Sequence, residues 1–107
     1  MVNYRMPNPQ KVLSKLAQIE SEMRRSGLWQ TDALQPEKYD FCAAFAMDTM
    51  AFSQWLQFIF LPNVQAAAEK GQFPLASKVS TQAVREFDGM DEASALFSLL
   101  TGFDELF

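Results

Sequence analysis

The segment Asp48-Thr49-Met50-Ala51-Phe52-Ser53-Gln54-Trp55-Leu56-Gln57-Phe58-Ile59-Phe60-Leu61-Pro62, continued by Asn63-Val64-Gln65-Ala66-Ala67-Ala68-Glu69-Lys70-Gly71, carries the periodicity of one long helix. Phe52, Trp55, Leu56 and Ile59 fall at i, i+3, i+4, i+7 and make one apolar stripe. Phe58, Phe60 and Leu61 cover much of the remaining surface, and a helix apolar nearly all round belongs at the centre of a fold. Asp48 and Thr49 offer side-chain oxygens to the open N–H groups of a first turn. Pro62 removes a backbone donor, which predicts a kink. The alanine-rich continuation is helix-forming and Gly71 supplies the left-handed stop. One kinked helix is therefore expected from about 49 to 70.

The flanking segments are built to cover that helix. Asn8-Pro9 reads as an N-cap followed by proline at the first helical position. Val12, Leu13, Leu16, Ile19 and Met23 then recur at helical spacing until Gly27. Residues 28–47 lack this period; they contain a turn-forming run through Pro36 and an aromatic stretch from Tyr39 to Phe45. A connection of that length packs as a structured flap or carries function. Phe73-Pro74-Leu75 makes a turn that pins apolar side chains to the core. Ser77 or Ser80 is expected to cap a short helix ending at Phe87. Asp91 is expected to cap the last one, where Ala93, Leu96, Phe97, Leu100, Phe103 and Phe107 form a wide apolar face. Gly102 inside that helix costs about 1 kcal/mol against alanine and predicts a frayed end. No segment alternates as a strand does. The fold class is all-α: a single-domain four-helix bundle over residues 8–107, with a long structured flap between helices 1 and 2, a Pro-kinked central helix, and a flexible N-terminus over residues 1–7.

Composition removes several chemistries. The 107 residues include no histidine and one cysteine, Cys42. That excludes Ser-His-Asp and Cys-His nucleophile pairs, His-ligated zinc, an intrachain disulfide and CxxC sites. The four glycines stand apart, so no phosphate-binding loop is present. The formal charge is −4 and the basic residues are scattered, which argues against direct nucleic-acid binding. Neither a secretory signal nor an apolar run long enough to span a bilayer is evident. A lone thiol fits a reducing compartment, and a cytoplasmic protein is expected.

The string Phe45-Ala46-Met47-Asp48-Thr49-Met50, then Trp55-Leu56-Gln57 and Pro62, with Leu28-Trp29 upstream and Phe73-Pro74 downstream, resembles the small bacterial YqcC-like family. The resemblance covers residues 8–106. It implies an all-helical protein of a proteobacterial cytoplasm with no established activity, often encoded beside a tRNA-modifying pseudouridine synthase. Two positions depart from the family pattern. Ala44 stands where proline is frequent, and Asn63 stands where a basic residue is frequent after Pro62. The second departure removes a cation that would have suited an acidic partner.

The polar candidates are few. Asp48 and Thr49 present a carboxylate and a hydroxyl beside the flap, although a cap explains both residue types. Trp55 and Gln57, with Trp29 and Phe45, are placed to line a groove for a ligand or partner between the flap and the second helix; core filling by Trp55 and a Gln57 bond to the flap backbone are the simpler roles. Asp88, Asp91 and Glu92 lack the register of a calcium loop. Cys42 reads as a small buried filler. Asp104 and Glu105 read as solvated surface. No metal site, no cofactor and no catalytic residues are expected. The functional expectation is a non-catalytic module that binds another protein, because six methionines and fourteen aromatic residues exceed what short helices readily bury. A homo-oligomer through Phe103 and Phe107 would satisfy the same surplus. A small-molecule ligand in the flap groove, or an accessory role toward a tRNA pseudouridine synthase, are the alternatives. Membrane association is not expected.

Overall fold

A computed structural model describes residues 7–73 and 77–107. Most of the tether expected over residues 1–7 lies outside them, as does the Pro74-Leu75 portion of the expected turn. Pro7, the first described residue, is buried. The described residues contain helices and turns and no strand, as the missing alternation requires.

Helix α1 spans Pro9–Arg25. Asn8 Oδ1 accepts from the Gln10 N–H at 2.9 Å, and Pro9 occupies a position where its missing N–H costs nothing. Val12, Leu16, Ile19 and Met23 point inward. Gly27 adopts φ +79°, the left-handed conformation that ends the helix.

Helix α2 covers residues 52–70 without a break, but not in one geometry. Leu56–Phe60 forms a π turn in which the Leu61 N–H donates to the Leu56 carbonyl, five residues back. Pro62 follows immediately. A proline crowds the carbonyl four residues earlier and cannot donate to it, and the turn is widened where that bond, to the Phe58 carbonyl, is lost. The helix also starts later than its cap signals suggest, at Phe52 rather than near Thr49. The Ala51 N–H is bonded at 2.9 Å by the Gln54 side chain, while Asp48 faces elsewhere.

Helix α3, Val79–Glu86, and helix α4, Ser94–Asp104, complete the set. A single turn of 3-10 helix, Asp91–Ala93, leads into α4 without a side-chain bond from Asp91 to the helix start. The cap expected from Ser77 or Ser80 on α3 is replaced by Asp104, at the far end of α4. Its carboxylate accepts from the Val79 and Ser80 N–H groups at 3.0 and 2.9 Å and from both serine hydroxyls. Asp104 is thus a fixed structural group rather than free surface.

The core joins all four helices. Phe45, Trp55, Phe60, Phe103, Phe107 and Phe73 form a relay of aromatic neighbours with ring centroids 5.0–5.7 Å apart. Phe52 stacks on Trp55 and meets Phe87 edge-on at 5.4 Å. A smaller cluster of Leu34, Ala46 and Met50 ties the 26–51 connection to Trp55, Phe58 and Ile59. Where α1 and α4 pack together, a Cβ on Gly102 would lie 3.2 Å from Lys15 Nζ. That neighbour is the end of a flexible side chain and can move. Gly102→Ala is therefore expected to raise stability by about 0.5–1 kcal/mol, measured by urea unfolding; a loss would mean that Lys15 is held rigidly. No described helix is long and apolar enough to cross a membrane.

Candidate functional site

The connection between α1 and α2 is held by side chains that the sequence singled out, acting on the backbone. Gln57 is 8% exposed on α2, and its amide mimics a peptide group. Its Oε1 accepts from the Gln30 N–H at 2.8 Å and its Nε2 donates to the Gln30 carbonyl at 2.7 Å. The Gln54 Nε2 adds a bond to the Gln30 side chain at 3.0 Å. Gln57→Leu leaves both Gln30 backbone groups without their partner and is expected to cost about 2–3 kcal/mol. Denaturant unfolding of the variant checks this, and a loss under about 0.5 kcal/mol would mean that water replaces the amide.

Asp48 and Thr49 act in the same way. The Asp48 carboxylate accepts from the Cys42 N–H at 2.9 Å and the Ala43 N–H at 3.3 Å, and the Thr49 hydroxyl donates to the Lys38 carbonyl at 2.6 Å. The Cys42 N–H holds the Asp48 carboxyl below its ordinary value of 3.8, opposed by partial desolvation and aided by Ala43. A depressed folded-state value stabilises the fold above the unfolded carboxylate value and ceases to do so as pH falls through the folded one. The stability gap between wild type and Asp48→Ala should therefore be constant near neutrality and shrink below pH 3.8 in acid titrations. A gap that persists in acid would assign the loss to packing. Cys42 itself is exposed, not a buried filler; what it contributes here is its backbone N–H.

Trp29, Phe45 and Trp55 are partly buried against the main core. The Arg24 guanidinium lies 4.4 Å from the Trp29 ring centroid, and Phe45 meets Trp55 edge-on at 5.0 Å. Between residues 27–30 and 51–54 there remains a cleft of about 430 Å³ bordered by Trp29 but by neither Phe45 nor Trp55. The residues expected around one groove are thus divided: Trp29 borders this cleft, Gln57 bonds to the Gln30 backbone, and Asp48 and Thr49 bond to the chain farther along. Of the expected self-association face, Phe103 is 1% exposed and points into the core, whereas Phe107 is partly exposed.

A second groove uses residues that the sequence did not bring forward as a site. Leu28, Met47, Met50, Phe52, Phe87 and Met90 line a space of about 500 Å³ with Glu86 on its border. Phe45 and Ala46, both left-handed at φ 57° and 53°, turn the chain so that Met47 lands at the surface, 54% exposed. Non-glycine residues adopt this conformation at a steric cost. The Gln82 Nε2 lies between the groove's two sides, donating to Met47 Sδ at 3.3 Å and to Glu86 Oε1 at 3.2 Å. Phe87 and Met90 also line an adjoining space of about 260 Å³ with Val84, Asp88, Asp91 and Phe97. Phe87 and Met90 therefore border both spaces. The signal available beforehand was the methionine content, which has no position until the chain folds. Among the described residues, no group of three or more Cys, Asp or Glu is gathered as metal ligands would be.

Comparison with known proteins gives the chain relatives. The family model described as DUF446, tRNA pseudouridine synthase C, matches residues 11–106. An uncharacterised protein of Haemophilus influenzae is 35% identical over 86 residues, covering 80% of this chain and 79% of the relative. Protein YqcC of Escherichia coli is 28% identical over 67 residues, covering 63% and 62%. A tRNA pseudouridine synthase C of Pectobacterium carotovorum is 34% identical over 61 residues; the match takes in 57% of this chain and only 16% of that enzyme. No solved structure matches significantly.

Proposed function

Because the chain belongs to the YqcC-like family, whose model carries the description tRNA pseudouridine synthase C, we propose that it is a non-catalytic, protein-binding helical module acting as an accessory to a tRNA pseudouridine synthase. One observation carries this reading: an enzyme of that name contains, as 16% of its length, a segment like 57% of this chain. Most of that enzyme lies outside the match, so the shared segment is read as a part joined to a larger body. Joining two modules in one chain supplies an effective concentration on the order of millimolar, whereas a separate chain must bring its own affinity. The methionine-lined groove suits that requirement. The net charge of −4 favours contact with the protein over contact with its RNA.

The test mixes the purified chain with the tRNA pseudouridine synthase of the same organism in sedimentation equilibrium. A complex with Kd of about 1 μM or tighter is expected, as befits a specific interface. Absence of any complex at about 100 μM would overturn the reading, because affinity that weak lies outside such interfaces. The cleft beside Trp29 favours a second reading, a small-ligand site; a ligand there should shift tryptophan fluorescence and raise the melting temperature together.

A further inference from the structure

We propose that the groove over Met47, Met50, Phe87 and Met90 receives a cationic amphipathic helix of a partner protein, its apolar face against the methionines and its basic residues over the acidic rim. The inference rests on the protein-binding reading above and specifies the chemistry of what is bound.

The floor provides the first argument. Unbranched thioethers adapt to differently shaped apolar side chains, and grooves rich in methionine take helices by apolar anchors spaced i, i+3/i+4, i+7. Two spaces of about 500 and 260 Å³, both bordered by Phe87 and Met90, offer places for such anchors. Met47 and Val84, at 54% and 56% exposed, stand beside these spaces and extend their apolar surface outward.

The rim provides the second argument and selects the occupant. Glu86-Phe87-Asp88-Gly89-Met90-Asp91-Glu92 contains four carboxylates and no cation, and Phe87 and Met90 within it border both spaces. Glu86, Asp88 and Asp91 border the two spaces. Ion pairs among the described residues involve Arg24 with Glu20 and Arg25 with Glu22, on α1, so the rim carboxylates are paired with none of the chain's own cations there. A nucleic-acid backbone or an anionic lipid surface would be repelled. A second copy of a chain with charge −4 is disfavoured for the same reason. Lysine or arginine flanking an apolar face meets both halves of the site.

The probe is a fluorescein-labelled amphipathic helix of about 18 residues, with leucine at the anchor positions and lysine elsewhere. Its counterpart replaces every lysine by glutamate. By fluorescence anisotropy the lysine peptide should bind with low-micromolar Kd, about tenfold or more tighter than the glutamate peptide. Met47→Ser combined with Met90→Ser should weaken it about tenfold, and Glu86→Lys with Asp91→Lys should weaken it by at least as much. Glu69→Lys with Glu105→Lys changes the net charge equally at exposed positions off the groove and should change binding less than about twofold. Circular dichroism melts establish that each variant is folded.

Equal weakening by the two charge-changing pairs would overturn the proposal in favour of diffuse attraction, and so would unaltered binding by the serine variant. Concentration-dependent mass of the wild type that the serine variant abolishes would make a second copy the occupant instead. The synthase mixed with the same variants separates the two readings. Equal binding of wild type and groove variants would sink the groove while leaving the accessory role. Peptide binding in the groove without synthase binding would do the reverse.

Discussion

Replacing Phe103 by alanine should remove about 3–5 kcal/mol of stability, the usual cost of deleting a buried ring and leaving its cavity. Phe103 is 1% exposed and lies 5.0 Å from both Phe60 and Phe107, so it connects α2, α4 and the C-terminus at one point. A domain of this size holds about 5–15 kcal/mol in all, and each kcal/mol corresponds to about 4–8 °C in melting temperature. The variant should therefore unfold at much lower urea concentration, followed through Trp29 and Trp55. A loss under about 1.5 kcal/mol would show that neighbouring rings collapse into the space. Phe103→Asp should unfold the chain, because an unpaired carboxylate would be buried. Loss of a dimer in that variant would consequently say nothing about an interface, and Phe107 is the better position for testing self-association.

Asp104→Ala should cost about 2–3 kcal/mol by the same assay, well above an ordinary exposed cap. The carboxylate meets two backbone donors and two hydroxyls at the start of α3, where Lys78 offers no side-chain cap of its own. Bonds to an ionised acceptor are stronger than neutral ones, and negative charge is favoured at a helix N-terminus. Asp104→Asn keeps one acceptor oxygen and should retain about half of the effect. Equal losses in the two variants would show that charge rather than bond number is decisive. Removing this clasp should loosen α3, which carries Gln82 and Glu86 at the side of the methionine groove.

The comparison of α1 with the other elements shows what can be read from sequence. Asn8, Pro9, the inward stripe and Gly27 are neighbours along the chain, and each acts within a few residues of itself. The same is true of Pro62, whose conflict lies with the carbonyl four residues back; that something must give was legible, and that it would be a π turn was not. The caps of α2 and α3 were misplaced for the opposite reason. Asp48 had two sets of N–H groups within reach, and the turn through Phe45 and Ala46 presented those of Cys42 and Ala43. Ser77 and Ser80 looked like acceptors for a helix start until a carboxylate some 25 residues away arrived with stronger claims.

For this protein the sequence by itself determined the all-helical class and the membership of a family, because periodicity, capping types and motif spacing are local properties. Only the tertiary structure decided that Gln57 holds Gln30, that Asp104 caps α3, and that Met47, Met50 and Met90 share one groove with Glu86 at its edge. These depend on which surfaces meet after the aromatic core has closed. A methionine is equally at home in a core and on a binding face, and its neighbours in space, not in sequence, make the difference.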